Sequence, residues 1–360
     1  MAALVIVAGS VVGEDPPAGP KRAVSSRTGA QLRQPRQVAV DPAMARRGVL
    51  LMRAAASACQ EVSYRGIQMV AWWGAGGSSA YLIQVWHRHG GPELAEQTDD
   101  SDVRPESAEP AGMATGSVAG GVLAVPEWML NLMRANYEIT YAGTGSASDR
   151  RALIVAVRRK DGSLAAQFWL DAATHLPLRR EIFDAAGHLV NEGAFIDLEI
   201  GDHDVNVVPP AGAQPWSTQP AVPGLAGLRE HGWSVPATLA GNMALVAVTR
   251  TKASSGSVID ASYSDGLSVV SIFMQRGELP ETLPGWHQAA VRGQTVYSTE
   301  PDQRSLMWSA NGFVYTVLAD APPQTVQRVV AELPHDQDVG FWQRVSRGLK
   351  RIGSWFNPFG

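Results

Sequence analysis

The sequence predicts an α+β protein that is mainly antiparallel sheet, and three observations predict it. Short β-forming runs follow one another with little but turn residues between them. Asp161-Gly162, Ala186-Gly187, Asp265-Gly266 and Asn311-Gly312 stand between such runs, where tight hairpins need residues that tolerate positive φ. A Pro/Gly-rich stretch at 202–228 then divides the pattern into a larger first unit and a smaller second one. Sequential hairpins make an antiparallel meander, with the few helical segments covering one side.

The chain of 360 residues is long enough for two cores. Residues 1–40 are read as an export signal or anchor remnant and a tether. Met1–Gly13 is almost wholly apolar and runs at once into polar, Pro-rich sequence. Its length suits the apolar part of an export signal and is too short to span a bilayer, the alternative being a buried first strand. Residues 14–40 carry Pro, Gly, Ser, Arg and Gln without apolar periodicity, as a flexible tether does.

The first domain is expected over 41–201. Asp41 as N-cap and Pro42 at the first helical position open a helix with Met44, Gly48, Leu51, Ala55, Cys59 and Val62 on one face. Strands are predicted at Ile67–Trp73 and Ala80–Arg88, and 90–121 reads as a long, acidic, mobile loop. Pro126 announces a second helix carrying Met129, Leu132 and Met133. Strands follow at Tyr137–Tyr141, Ala152–Arg158, Leu164–Leu170 and Leu176–Phe183, with a fifth near Ala194–Ile200.

After the linker 202–228, a sheet-and-helix domain is expected over 229–334. Val258–Ser264 and Leu267–Gln275 form a hairpin about Asp265-Gly266. Gln294–Ser298, Ser305–Ser309 and Phe313–Ala319 come next, and Pro323–Leu333 is a covering helix with Val326, Val329 and Val330 inside. The tail 335–360 is a basic amphipathic segment. Phe341, Trp342 and Trp355 share its apolar face with Val345, Leu349 and Ile352, against Arg344, Arg347, Lys350 and Arg351. Such a helix lies in a membrane interface or packs on its own domain or a partner.

Composition excludes some functions. A net charge of −4 argues against a nucleic-acid partner, which needs a basic footprint. The single cysteine, Cys59, permits no internal disulfide; Ala56–Cys59 superficially resembles a lipoprotein processing site, but on a helical apolar face Cys59 is read as buried and structural. His87 and His89 sit two apart at a strand end with no third committed ligand. Gly143-Thr144-Gly145 lacks the rest of a dinucleotide loop. Neither a phosphate loop nor a nucleophile elbow is present, so no catalytic residue, cofactor or metal is predicted. What remains is aromatic surface: of the eleven Trp, five concentrate in the first domain. Trp72, Trp73, Trp86, Trp128 and Trp169 are therefore the candidates for an apolar groove.

Several segments together resemble the MucB/RseB family. They are the opening helix leading into Ser63-Tyr64-Arg65-Gly66, the passage Leu132-Met133-Arg134-Ala135-Asn136-Tyr137-Glu138-Ile139, and Phe168-Trp169-Leu170-Asp171 with Thr174-His175-Leu176-Pro177-Leu178-Arg179-Arg180-Glu181 and Gly187-His188-Leu189-Val190. Tyr263-Ser264-Asp265-Gly266-Leu267-Ser268-Val269-Val270-Ser271-Ile272-Phe273 is similar to that family's second-domain signature. The order is kept from about residue 41 to about 334, and the first-domain pattern is shared with LolA/LolB-type lipoprotein carriers. The acidic loop, the Pro-rich linker and the basic tail depart from the family pattern. The resemblance implies an unclosed β-barrel with covering helices, followed by a smaller sheet-and-helix domain. It implies an extracytoplasmic, non-enzymatic regulator that binds the external segment of an anti-sigma factor and senses lipid or envelope stress through its groove. The alternative is a lipid or lipoprotein carrier. Tyr263, Ser264, Asp265, Gly266, Leu267 and Phe273 are the candidate partner contacts. Phe341, Trp342, Arg344, Arg347, Lys350 and Trp355 are the candidate membrane contacts.

Overall fold

The computed structural model describes residues 41–74, 77–91, 93–97, 114–115, 125–202, 225–253, 256–280, 283–298 and 304–335. All of them belong to the unit Val38–Gly360. The apolar N-terminus, the tether, the tail 336–360 and most of the linker lie outside the described residues.

Helix α1 (Pro42–Glu61) begins as its sequence dictates, with the Asp41 carboxylate accepting from the Ala43 amide at 2.8 Å. Leu51, Met52, Ala55, Ala56 and Cys59 are buried along it. Gly48 is the contact point with the sheet, since a Cβ there would stand 2.6 Å from the backbone of Thr140. The next strands are β1 (Tyr64–Gly74), β2 (Gly77–His87), β3 (Glu93–Gln97) and β4 (Ala114–Thr115), before α2 (Glu127–Asn136). A meander completes the sheet: β5 (Glu138–Ala147), β6 (Arg150–Arg158), β7 (Leu164–Asp171), β8 (Pro177–Phe183) and β9 (Leu189–Ile200).

These nine strands form one antiparallel sheet in the order β4-β3-β2-β1-β9-β8-β7-β6-β5. Its ends, β4 and β5, do not pair, so the barrel is unclosed. It is nonetheless strongly bent. The Ser148 hydroxyl, at the tip of the β5–β6 hairpin, donates to the Phe195 carbonyl on β9 at 2.7 Å, four strands away from β5 in the sheet order. Register shifts at Ile67/Gln68, Tyr141/Gly143 and Trp169/Leu170 supply the bulges that allow this curvature. One face is covered by α1 and α2, around a core of Met52, Leu130, Met133, Val155, Phe168 and Leu170.

Part of the expected mobile loop 90–121 is sheet instead. Glu93–Gln97 pairs with β2 and Ala114–Thr115 with β3. Two such short segments, in acidic surroundings, show no readable alternation; β3 is held by satisfying the outer backbone groups of β2, and β4 those of β3. The rest of that loop lies outside the described residues.

The second sheet follows α3 (Leu225–Glu230), whose start falls inside the expected linker. Its strands are β10 (Thr238–Leu239), β11 (Met243–Ala253), β12 (Gly256–Ser264), β13 (Val269–Arg276), β14 (His287–Val291), β15 (Gln294–Ser298), β16 (Ser305–Ala310) and β17 (Phe313–Asp320). They pair in the order β10-β11-β12-β13-β17-β16-β15-β14. At the β16–β17 hairpin, Asn311 and Gly312 take φ of 54° and 76°, the geometry that Asn-Gly favours. Helix α4 (Pro323–Glu332) buries Val326, Val329 and Val330 against a core including Trp233, Met243, Ile272 and Val317. β10, β11 and β14 were not foreseen. β11 has a bulge between Leu245 and Ala247 and an exposed half from Thr249 to Lys252, so its alternation is broken.

Candidate functional site

The residues that the sequence singled out lead to the junction of the two sheets. The tip between β12 and β13 is built by Asp265, whose Oδ1 accepts from the amides of Leu267 (2.9 Å) and Ser268 (2.8 Å). Gly266 has φ of +97°, and an added Cβ would lie 2.2 Å from the Met133 amide nitrogen of α2. Only a glycine lets backbone approach backbone that closely with that φ. From the first sheet, the Tyr137 hydroxyl donates to Asp265 Oδ2 at 2.6 Å and Asn136 Nδ2 donates to the Asp265 carbonyl at 2.9 Å. Leu267 enters the first sheet's core beside Leu130 and Met133. Burial raises the Asp265 carboxyl pKa, and the bonds to Tyr137, Ser268 and Leu267 oppose that rise.

Further contacts staple the junction. Arg180 Nη2 donates to Asp320 Oδ2 at 3.1 Å and to Asn191 Oδ1 at 3.0 Å, with both ion-pair partners buried. The Arg304 guanidinium lies 4.2 Å from the Trp72 ring centroid. Gln324 Nε2 donates to Asp184 Oδ2 at 3.4 Å. Beside these contacts opens a small cleft of about 20 Å³ whose lining includes Trp72, Trp73, Ile182, Val190 and Arg304. Removing one partner of a buried ion pair strands the other charge. Asp320→Ala should therefore lower stability to urea by about 3–5 kcal/mol. Arg180→Met with Asp320→Leu should recover most of it.

The five Trp do not converge. Directly paired residues share a face, and the β1–β2 register puts Trp72, opposite Ser79, on the helix-covered side, whereas Trp86, opposite Arg65, is on the other side. Trp73 and Trp86 are separated along β1 by eight residues of register, roughly 26 Å at about 3.3 Å per residue. Trp169 lies on the helix-free face in the row Met69, Ala194, Arg179, Trp169, with the Arg179 guanidinium 4.9 Å from its ring centroid. Trp128 is on α2. Among the described residues Trp72 and Trp73 line a common cleft and the other three stand apart from it, which corrects the five-residue groove: alternation and distance along the strands divide the set.

The candidate partner contacts need a similar correction. Tyr263, Ser264, Asp265 and Leu267 are buried, and Gly266 is pressed on α2. Tyr263 points inward, its hydroxyl donating to the Pro236 carbonyl at 2.8 Å. Phe273 alone is half-buried, on the face of β13 away from α4. The membrane-contact residues Phe341, Trp342, Arg344, Arg347, Lys350 and Trp355 lie outside the described residues. Asn136, Tyr137, Arg180, Arg304 and Asp320 were not singled out as site residues; two consecutive arginines on a strand, one of them forced inward by alternation, were the available clue.

His87 and His89 have structural roles. The His87 ring is buried, with Nδ1 2.8 Å from the Val62 carbonyl and Nε2 3.2 Å from the Gly91 carbonyl. It stacks on Tyr64, whose hydroxyl donates to the buried carboxyl of Glu93. Burial pushes the Glu93 pKa up to about 7 and lowers that of His87. His89 Nδ1 lies 2.8 Å from the Glu61 carbonyl. Among the described residues no group of three or more His, Cys, Asp or Glu is placed to hold a metal ion, and no helix is long and apolar enough to cross a membrane.

A family model, the MucB/RseB N-terminal domain, matches residues 94–219. The resemblance read from the sequence is thereby met over those residues, which run from the second residue of β3 past the end of β9. No curated protein matches the chain. Among solved structures, the chain is similar to MucB in complex with MucA(peri), at 20% identity and TM-score 0.46 over 81% of this chain and 100% of that one. The Pseudomonas aeruginosa MucA/MucB complex gives 19% identity and TM-score 0.46, over 79% and 96%. A LolA superfamily protein from Nitrosomonas europaea gives 9% and 0.22, over 45% and 94%. The matched stretch contributes Tyr137, Asp184 and Arg180 to the junction, where they meet Asp265, Gln324 and Asp320 beyond its end.

Proposed function

We propose that the chain is an extracytoplasmic regulatory protein that binds the external segment of a membrane-anchored anti-sigma factor. The observation that carries this reading is the match of residues 94–219 to the MucB/RseB N-terminal domain. Regulation by such a protein needs differential binding between two states, not catalysis, and we read the chain as no enzyme. The two sheets are taken as two domains, 41–201 and 229–334, joined by 202–228. Residues 1–40 export or anchor the chain, and the basic tail touches the membrane surface. With the Asp265 tip occupied by α2, Phe273 on the exposed face of the second sheet is the partner contact that stays accessible.

A second reading, a lipid or lipoprotein carrier, is favoured by the apolar walls that Trp72, Ile182 and Val190 give the cleft at the junction. In-cell crosslinking of the tagged chain, followed by mass spectrometry, separates the two. The regulator should recover a single-pass protein with an anti-sigma domain, and Phe273→Asp should reduce that recovery. Recovery of lipid or mature lipoproteins alone would replace the regulator with the carrier.

A further inference from the structure

A second cleft at the junction, of about 240 Å³, has a different character. It is bounded by α2, the β6–β7 turn, the β10–β11 loop, the Asp265 tip and α4. Three cations line it: Arg159, Lys160 and Arg328. Among the described residues none of the three is ion-paired, whereas Arg150, Arg179 and Arg180 of the same sheet all are. The Arg159 guanidinium donates to the Leu164 carbonyl at 2.6 Å and to the Phe183 carbonyl. Arg328 Nε donates to the Gln324 carbonyl at 3.2 Å and its Nη2 to Thr325 Oγ1 at 3.4 Å. These acceptors orient the guanidinium groups without cancelling their charge. The exposed Lys160 has no partner among the described residues.

The neighbouring carboxylates are engaged elsewhere. Asp265 is buried and accepts from Tyr137, Leu267 and Ser268. Asp161 accepts from the Ser163 amide and hydroxyl at 2.9 and 2.7 Å. Glu332, one turn beyond Arg328, accepts from the Ala240 amide at 2.7 Å. Asn136, Asn242, Ser268 and Thr325 complete a polar lining. Like charges gathered in a cleft focus the field and raise the local concentration of anions.

We propose that this cleft binds a phosphate group, with Lys160 and Arg328 as direct ligands and Arg159 supplying fixed positive charge behind them. A phosphate group carries close to two negative charges and several acceptor oxygens, which suits three cations better than a single carboxylate does. The site goes beyond the anti-sigma reading and stands or falls without it.

The test titrates inorganic phosphate into the full chain by calorimetry, at constant ionic strength in chloride. Saturable binding is expected. Lys160→Gln and Arg328→Gln should each weaken it by about tenfold or more, as loss of a charge-assisted hydrogen bond does. Both positions are exposed, so the melting temperature in chloride should not change. Arg250→Gln, a surface guanidinium bonded to Ser257 on the β11–β12 hairpin, should bind as the wild type does. Vesicles of phosphatidylcholine with and without phosphatidic acid then distinguish the source. Cosedimentation that needs phosphatidic acid and is lost in the double variant assigns a lipid headgroup. Phosphate binding without it assigns a soluble phosphorylated molecule. Absence of saturable phosphate binding, or equal binding by the double variant, overturns the proposal.

Discussion

Gly266→Ala should cost about 2–5 kcal/mol and uncouple the two sheets. Two penalties add. An alanine at φ of +97° is strained by about 1–2 kcal/mol. Its Cβ would also meet the Met133 amide nitrogen at 2.2 Å and the Met129 carbonyl oxygen at 2.8 Å. Both are helix backbone, which cannot swing aside as a side chain can, and overpacking of this kind adds about 1–3 kcal/mol. The relief available is withdrawal of the tip from α2, with loss of the Tyr137 and Asn136 bonds. Calorimetry should then show two thermal transitions for the variant and one for the parent chain. Gly312→Ala is the control: its φ is +76° but nothing lies within 4 Å of the added Cβ. It should cost only the conformational part and leave the transition undivided. If both variants behave alike, the tip is not what couples the sheets.

Glu93→Gln should flatten the pH dependence of stability near neutrality. Burial raises the Glu93 pKa from an ordinary 4.5 to about 7 in the folded chain, so the fold favours the protonated acid. Stability from a raised pKa is fully present below the unfolded value and lost as pH rises through the folded one. The window is therefore about pH 4.5 to 7, and the amplitude is on the order of 3 kcal/mol. His87 works in the opposite sense: its lowered pKa gives stability that is present above 6.5 and lost as pH falls. Gln keeps a neutral acceptor for the Tyr64 hydroxyl and leaves His87 in place, so the difference between the two unfolding profiles isolates Glu93. Parallel profiles between pH 5 and 7.5 would show that Glu93 is ionised in the folded chain.

Much of the architecture was legible because it rests on local patterns. Asp41-Pro42, Asp161-Gly162 and Asn311-Gly312 are turn and cap chemistries that act within a few residues, and each lies at the end of an element. The alternation of Leu164, Ala166, Phe168 and Leu170 likewise fixed which side of β7 faces the core. β3 escaped for the converse reason: five residues paired to an edge carry too little periodicity to read. The site was less legible still. Tyr263 to Phe273 stood out correctly as unusual, but an exposed role and a buried inter-sheet role leave the same motif in the sequence. Gly266 is required in either case, because only the structure shows that α2 is what stands against it. The Trp set failed on register, since Trp86 lies eight residues of register from Trp73 and Trp169 lies beside Arg179 on another strand, positions that composition does not reveal.

Leu267 belongs to the second sheet by sequence and to the first sheet's core by position. The first sheet's core is therefore unfinished until residue 267 has left the ribosome, about 65 residues after β9 ends at Ile200. During that interval the nascent first sheet exposes Leu130 and Met133 where the tip will insert. Chain synthesis thus imposes an order on assembly: a meander that collapses first, then a plug delivered by the hairpin made later. A chain interrupted before that hairpin would present a ready apolar socket to whatever chaperone or protease meets it.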